Sequence, residues 1–486
     1  MPEYTSYTLP APRRLGWRGR LLVIVLLLAL LAVGAWFAWL AIATRQQEAA
    51  IQRLREAGMP ASFQELLEGV EPIPAGRDAA ADILEAAELL NERGEAIEAL
   101  DAWRLPLVDM SDEDREEWLA LQARVAQEQA AAIERVAELD AKIRPAVDAV
   151  AADFGIWSEV KAQIEAGNPP EDPIEITLPH LIGARSLAKV LAADARSAGA
   201  AGDSERALTQ VIRLVGIGEA IDADAYALVE HLVAIGPRLL GAQAAMETAR
   251  EGIGDSDPAL RARATAAFMD VGVLEAGLGR ALRGEAAFEL EIMRALDEGR
   301  IGIAEVAGGR ARRGEAWLVR LTRPILRGDV ATIADYQRAA YEATKADDFP
   351  AAVARVPDPD AMAPHTYLDV YARVLIAGLD RTVEANYRCR TEMHAAAAAL
   401  AIAAYRADNG GRWPESLEAL VPDYLPELPR DAMARGAPPI RYDPARRILW
   451  SVGIDAEDDG GDATSTRASG DRASLWDGED VVVELD

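Results

Sequence analysis

Between Leu21 and Ala43 the chain runs for 23 residues without a charge, LLVIVLLLALLAVGAWFAWLAIA. As a helix this stretch rises about 35 Å at 1.5 Å per residue, enough to cross a hydrocarbon core of about 30 Å. Arg13, Arg14, Arg18 and Arg20 precede it, whereas only Arg45 follows closely. That bias predicts a basic cytoplasmic tail over 1–20, a transmembrane helix over 21–43, and everything later on the far side of the membrane. Trp36 and Trp39 fall near the outer end, where indole rings favour the interface. The rival is a cleaved signal peptide, for which Ala41-Ile42-Ala43 has suitable small-residue spacing. The apolar run exceeds the ~7–15 residues of such signals, so a retained anchor is expected.

The remainder of the 486 residues is long enough for about three units of ordinary domain size. Alanine is frequent and aromatics are 6%, a balance that favours helix. Leu208, Val211, Ile212 and Val215 recur at helical spacing, as do Leu228, Leu232, Ile235 and Leu239. Short polar or glycine-containing breaks separate the segments at 199–204, 221–224 and 252–258. Ser111 followed by Asp114 suits a helix start, and the run from there to Ala141 consists almost wholly of good helix formers. Antiparallel helices joined by short turns follow. The stretch 185–221 looks like one hairpin of a tetratricopeptide-like solenoid, but no clean 34-residue period surrounds it. A bundle or a solenoid-like stack is therefore expected over 44–345. Proline-rich breaks stand at 168–173 and 349–364, and 346–365 reads as a linker to a final unit at 366–486.

A net charge of −29 argues against nucleic-acid binding, because such a surface repels phosphates. The single cysteine, Cys389, excludes an intrachain disulfide and a thiolate zinc cluster. Its flanking residues Arg388 and Arg390 could depress a thiol pKa. Its register with Leu375, Leu379, Thr382, Asn386, Met393 and Leu400 instead predicts a buried structural position. His231 shares an apolar stripe with Leu228, Leu232 and Ile235, as a packed core histidine would. His180 and His365 stand in or beside proline-rich breaks without a recognisable partner. No His-Glu-x-x-His pair, Gly-x-Ser-x-Gly elbow, Walker loop or Gly-x-Gly-x-x-Gly fingerprint occurs. No enzyme is expected. The basic segment RARRGEAW at 310–317 could touch lipid headgroups, although a solvated helix end is the simpler account.

From Thr366 to Asn409 no proline interrupts a helical run of 44 residues, for which a kink near Gly378 is expected. Asn409, Gly410 and Gly411 should end it, and Pro414 should open a short helix. Strands fit Ile440–Tyr442, Ile448–Val452 and Val481–Leu485, with the turn Asp443-Pro444-Ala445-Arg446 between the first two. The ordered elements Tyr405-Arg406-x-Asp408-Asn409-Gly410, Trp413-Pro414, Ser416-Leu417-x-x-Leu420, Leu428-Pro429-x-Asp431 and Ser451-Val452-Gly453-x-Asp455 carry a resemblance. Over about 385–486 the chain resembles the C-terminal part of the major pseudopilin of type II secretion systems. The resemblance implies a small α+β domain with a short antiparallel sheet. It also implies calcium held by the Val452 carbonyl, Asp455 and Asp480. Five acidic residues, Asp455, Glu457, Asp458, Asp459 and Asp462, crowd into eight positions, and a divalent ion would relieve their repulsion. The candidate metal ligands are therefore Val452, Asp455, Asp458, Asp459, Asp462 and Asp480; a solvated acidic loop is the alternative. An EF-hand does not fit, since Thr466 occupies the twelfth position of the loop.

The chain departs from pseudopilins, since nothing like their Phe-Thr-Leu-Ile-Glu-type junction, whose helix runs directly into the globular head, appears in it. More than 300 residues separate its anchor from the similar region. The expected whole is mainly α: a transmembrane helix, a helical middle and a pseudopilin-like α+β end. Such a chain would sit in a bacterial inner membrane with its bulk periplasmic. Its expected role is binding or scaffolding among envelope or secretion proteins. An envelope hydrolase with a site assembled from dispersed residues is the competing class.

Overall fold

A computed structural model describes residues 17–68, 70, 73, 78–90, 95–102, 111–137, 151–168, 170, 172–176, 178–306, 315–364, 369–376, 378–464, 476 and 479–486. Arg13, Arg14, His365, residues 310–314 and most of the stretch 463–474 lie outside these. The chain is mainly helical, with one small sheet.

The first helix, α1 (Trp17–Glu56), continues well past the apolar run. Leu21 to Leu31, Phe37, Trp39 and Ile42 stand exposed along it, whereas Ala43, Ala50 and Leu54 are buried. Those three fall at i, i+7 and i+11, one stripe of a helix. One continuous helix is thus bare over its apolar part and docked over its polar end.

Four helices then build much of the main core, α2 (His180–Ala200), α3 (Ser204–Ala223), α4 (Leu228–Glu251) and α5 (Pro258–Met269), and α6 (Gly272–Glu298) joins it only through Leu274. The breaks between α2 and α3 and between α4 and α5 fall where polar and glycine residues predicted them, whereas α3 runs on through Ala223 and the next break lies at 224–227. Ser111 also caps its helix, its Oγ accepting from Asp114 N–H at 3.2 Å. The first stripe, Leu208, Val211, Ile212 and Val215, is wholly buried. The second is not. Leu232 is 40% exposed, and the inner face of α4 is instead His231, Ala234, Ile235, Arg238, Gly241 and Ala242. Close helix contact demands small residues there: a Cβ on Gly241 would already lie 3.1 Å from Leu214 Cβ.

A second core joins α6 to α7 (Glu315–Leu321) and α8 (Arg323–Ala343), against which the end of α1 is seated. Arg53 reaches Asp335 with bonds of 3.1 and 2.6 Å, and Arg327 Nη1 donates to Gln47 Oε1 at 2.9 Å.

Within 346–365 the chain forms two short helices, Phe349–Val353 and Pro359–Met362. Asp348 and Asp358 cap them, and prolines stand in their first turns, where a missing N–H costs nothing. Phe349 N–H donates to Ala432 O at 2.9 Å, tying the segment to the C-terminal part. The 44-residue helix is also shorter than expected. Its main body, α9 (Asp380–Asp408), begins beyond Gly378, and a separate turn of helix holds Ala372–Leu375. Ile376 and Leu379 are drawn into the second core between the two pieces.

Ala395 to Ala399 in α9 are all buried, so this helix is enclosed rather than amphipathic. It packs on α4 and α5 along one side and faces the sheet near its middle, around Thr391, Glu392 and Ala395. Strands β1 (Arg441–Asp443), β2 (Ile448–Ser451) and β3 (Val481–Glu484) pair antiparallel in that order, with Tyr442 opposite Leu449 and Leu449 opposite Val483. These lie within two residues of the predicted strands. The predicted turn is present, with Asp443 Oδ1 accepting from Ala445 N–H and Arg446 N–H.

Candidate functional site

Two polar constellations stand out, one at the rim of the sheet and one inside the helical core.

At the rim, β2 runs into a tight coil that Gly453, Ala456, Gly460 and Gly461 turn with positive φ. Asp480, just before β3, is 1% exposed. Its Oδ2 accepts from Gly461 N–H at 2.7 Å and from Asp462 N–H at 3.3 Å, while its own N–H donates to Asp462 O. Its Oδ1 is buried without a partner. Burial raises the Asp480 pKa against those two N–H donors, and the charges of Asp458 and Asp459 add to the rise.

The other nominated ligands do not converge on Asp480. Asp455, Asp459 and Asp462 are exposed. Asp455 Oδ1 takes Glu457 N–H, and Asp462 Oδ1 takes the N–H and Oγ1 of Thr464. Asp458 accepts from Trp450 Nε1 at 3.1 Å and from Arg441 Nε at 2.6 Å. Burial pushes Asp458 up, but bonds from Trp450, Gly460 and Arg441 together hold it below the usual carboxylate range. Val452 offers its N–H to Asp431 Oδ2 at 3.1 Å. Arg446 meanwhile donates to the carbonyls of Gly460 and Gly461, both at 2.5 Å. Among the described residues no group of three or more His, Cys, Asp or Glu is gathered to hold a metal. Of the nominated carboxylates only Asp480 keeps a buried oxygen without a partner. Short Asx-type bonds engage Asp455 and Asp462 locally, and Arg441 pairs with Asp458.

Asp431 is the keystone that the sequence reading passed over. It is wholly buried; Oδ1 accepts from Ser451 Oγ at 2.7 Å and Met433 N–H at 3.1 Å. Its Oδ2 accepts from Val452 N–H and from Arg441 Nη1 at 3.0 Å. Arg441 thus bridges buried Asp431 to exposed Asp458, fastening the acidic coil to the sheet.

Inside the helical core, Asp222, His231 and Arg238 are 0–1% exposed. Asp222 Oδ1 lies 2.8 Å from His231 Nδ1, and Arg238 Nη1 donates to Oδ2 at 2.8 Å. Burial opposes ionisation of Asp222, but His231 and Arg238 hold its pKa below the ordinary value. His231 Nε2, the atom a general base would offer to a substrate, is enclosed and unpartnered. The expectation of a packed histidine holds for His231. What spacing could not reveal is its carboxylate, nine residues earlier on α3.

Immediately before His231, Glu230 accepts from Trp157 Nε1 at 3.0 Å and from the N–H groups of Tyr226 and Ala227. Burial still drives its pKa up to about 7. His180 stacks on Phe154 at 4.1 Å between centroids, and burial lowers its pKa to about 4. Cys389 is buried, and burial raises its thiol pKa strongly despite the Arg238 charge. Arg388 lies over the Trp476 ring and Arg390 pairs with Glu275, so neither flanking cation serves the sulfur.

A small cleft between α9 and the sheet is lined by Met246, Ala395, Ile440, Leu449 and Val483 around Glu392. Trp476 Nε1 and Gln243 Nε2 both donate to that carboxylate. The cleft is apolar apart from groups already bonded to one another.

Comparison with family models, with curated proteins and with solved structures gives no match to this chain. Nothing beyond the residues themselves therefore bears on the pseudopilin-like reading of the C-terminal part.

Proposed function

We propose that this chain is a single-pass membrane protein of a bacterial envelope whose helical body acts as a rigid binding or scaffolding element outside the cytoplasm. The observation that carries this reading is the continuity of α1. Its bare apolar stretch passes without a break into the segment that buries Ala43, Ala50 and Leu54 against the body. Any load on the body is passed to the anchor through one helix rather than a flexible tether. The arginines ahead of the apolar run favour an N-terminus in the cytoplasm. A reporter enzyme active only outside the cytoplasm, fused after Asp486, should be active; silence with normal expression would defeat the topology.

A binding role is favoured over a hydrolase because the strongest acid–base pair, Asp222 with His231, is sealed inside the core. The cleft beside Glu392 also offers apolar walls rather than a nucleophile beside a free base. Partners among envelope or secretion proteins follow from the pseudopilin-like order of elements in the C-terminal part.

Calcium belongs to the same proposal. Asp480 Oδ1 is an orphaned carboxylate oxygen within the electrostatic reach of Asp458 and Asp459, a setting that a hard cation would favour. Titration calorimetry of the full chain with calcium should show uptake that Asp480→Asn removes. No heat beyond dilution for the parent chain would remove calcium from the account.

A further inference from the structure

The helix α7 is short and wrongly dressed for water. Trp317 is 64% exposed, Leu321 56% and Leu318 37%, while Val319 turns inward at 4%. Three large apolar side chains on one seven-residue element make a patch that needs an occupant.

The position of that patch identifies the occupant. Trp36 Nε1 donates to Leu321 O at 2.8 Å, so the end of α7 lies beside the apolar part of α1. Trp36 and Trp39 stand near the outer end of the apolar run of α1, where indole rings favour the interface. Phe37, Trp39 and Ile42 stand bare on the same stretch of α1. Arg320, exposed on α7 as well, supplies a cation at the depth of lipid phosphates.

We infer that α7 is a second membrane contact: Trp317, Leu318 and Leu321 bed in the outer headgroup layer of the bilayer that α1 crosses. This rests on the reading of α1 as a membrane span. The hydrogen bond from Trp36 to Leu321 sets the depth, and Arg320 meets phosphate. Two contacts, one crossing and one lying at the surface, fix the tilt of the body. A single helix alone would leave the body free to rock against the membrane surface.

The test uses the full chain in nanodiscs of phosphatidylcholine and phosphatidylglycerol, with nitroxide labels on single introduced cysteines. Cys389 is wholly buried and stays unlabelled. Labels at Trp317→Cys and, separately, Leu321→Cys are compared with Leu30→Cys in the span and Asp423→Cys on the surface. Collisions with oxygen should rise at 317 and 321. Collisions with a water-soluble nickel chelate should fall severalfold against the Asp423 label, giving a depth shallower than that of Leu30. Labels at 317 and 321 as open to nickel as Asp423, with Leu30 in lipid, would overturn the inference and leave the anchor standing. A Leu30 label open to nickel would overturn both. Protection of 317 and 321 from both reagents would mean that a second copy of the chain covers α7, which also overturns it. Either position suffices if the other variant fails to fold.

Discussion

Arg238 places Nη1 2.8 Å from Asp222 Oδ2, and neither side chain is more than 1% exposed. The same carboxylate meets His231 through its other oxygen, and Arg280 Nη2 closes on the Asp222 carbonyl at 2.6 Å. Three helices, α3, α4 and α6, are thereby joined through one aspartate. Losing one partner of such a buried set leaves a charge with nowhere to go, at a cost of about 3–5 kcal/mol. Asp222→Asn should therefore lower the thermal midpoint by many degrees and broaden the transition in calorimetry of the full chain. A midpoint within a degree of the parent would show that the set contributes nothing.

Helix α6 approaches its neighbours more closely than any side chain would allow. A Cβ at Gly284 would fall 1.6 Å from Tyr226 O, and one at Gly277 would fall 2.2 Å from Asp222 Oδ1. Alanine gains about 1 kcal/mol of helix propensity over glycine, and a backbone clash outweighs that. Gly284→Ala should destabilise by more than about 2 kcal/mol, typical of overpacking. Gly328, inside α8, faces open space, and Gly328→Ala should stabilise by up to about 1 kcal/mol. Urea titrations of the two variants should move in opposite directions.

Several buried carboxyls give stability a sign in pH. Burial raises Glu219 and Glu230 to about 7 and Asp224 to about 8. A carboxyl whose pKa is higher folded than unfolded holds more protons in the folded state between those values, so stability falls as pH rises through that window. For Glu230 the loss is on the order of 3 kcal/mol once pH passes the folded value. Asp222 and Asp458, held low, act oppositely and withdraw their contribution only below about pH 4. The chain should be more resistant to urea at pH 5.5 than at pH 8.5, and Glu230→Gln should flatten that difference. Equal resistance at both pH values would contradict this account.

Asp431 receives four donors from three segments, so its loss should be felt locally. Asp431→Asn weakens the pairing with Arg441 and puts an amide where acceptors are needed, at a cost of about 3 kcal/mol. Hydrogen exchange should quicken across 441–464 while α2 and α3 keep their protection. Uniform acceleration throughout the chain would instead mean that the sheet and the bundle unfold together.

Much of this architecture is written in local pattern. The apolar run at 21–43, the helix breaks at 199–204 and 252–258, the Ser111 cap and the three strands each follow from neighbours within a few positions. Local rules failed where the partner was remote. Residues 346–365 read as a linker because prolines punctuate them, yet Ala432 and Gly436 hold their backbone and carboxylate groups in place. Leu232 fitted an apolar stripe but faces outward, because the inward face of α4 is occupied by an ionic set. The acidic coil read as one ligand cluster, whereas Arg441, Arg446 and Trp450 divide its oxygens among themselves.

By itself the sequence determined a long apolar helix, an α-rich body and a short terminal sheet, because helix propensity, charge and turn chemistry act over a few residues. Tertiary structure alone decided which carboxylates are buried, paired or orphaned. Desolvation and pairing depend on which distant side chains arrive, and no spacing along the chain encodes that Asp222 meets Arg238 or that Asp480 keeps one oxygen free.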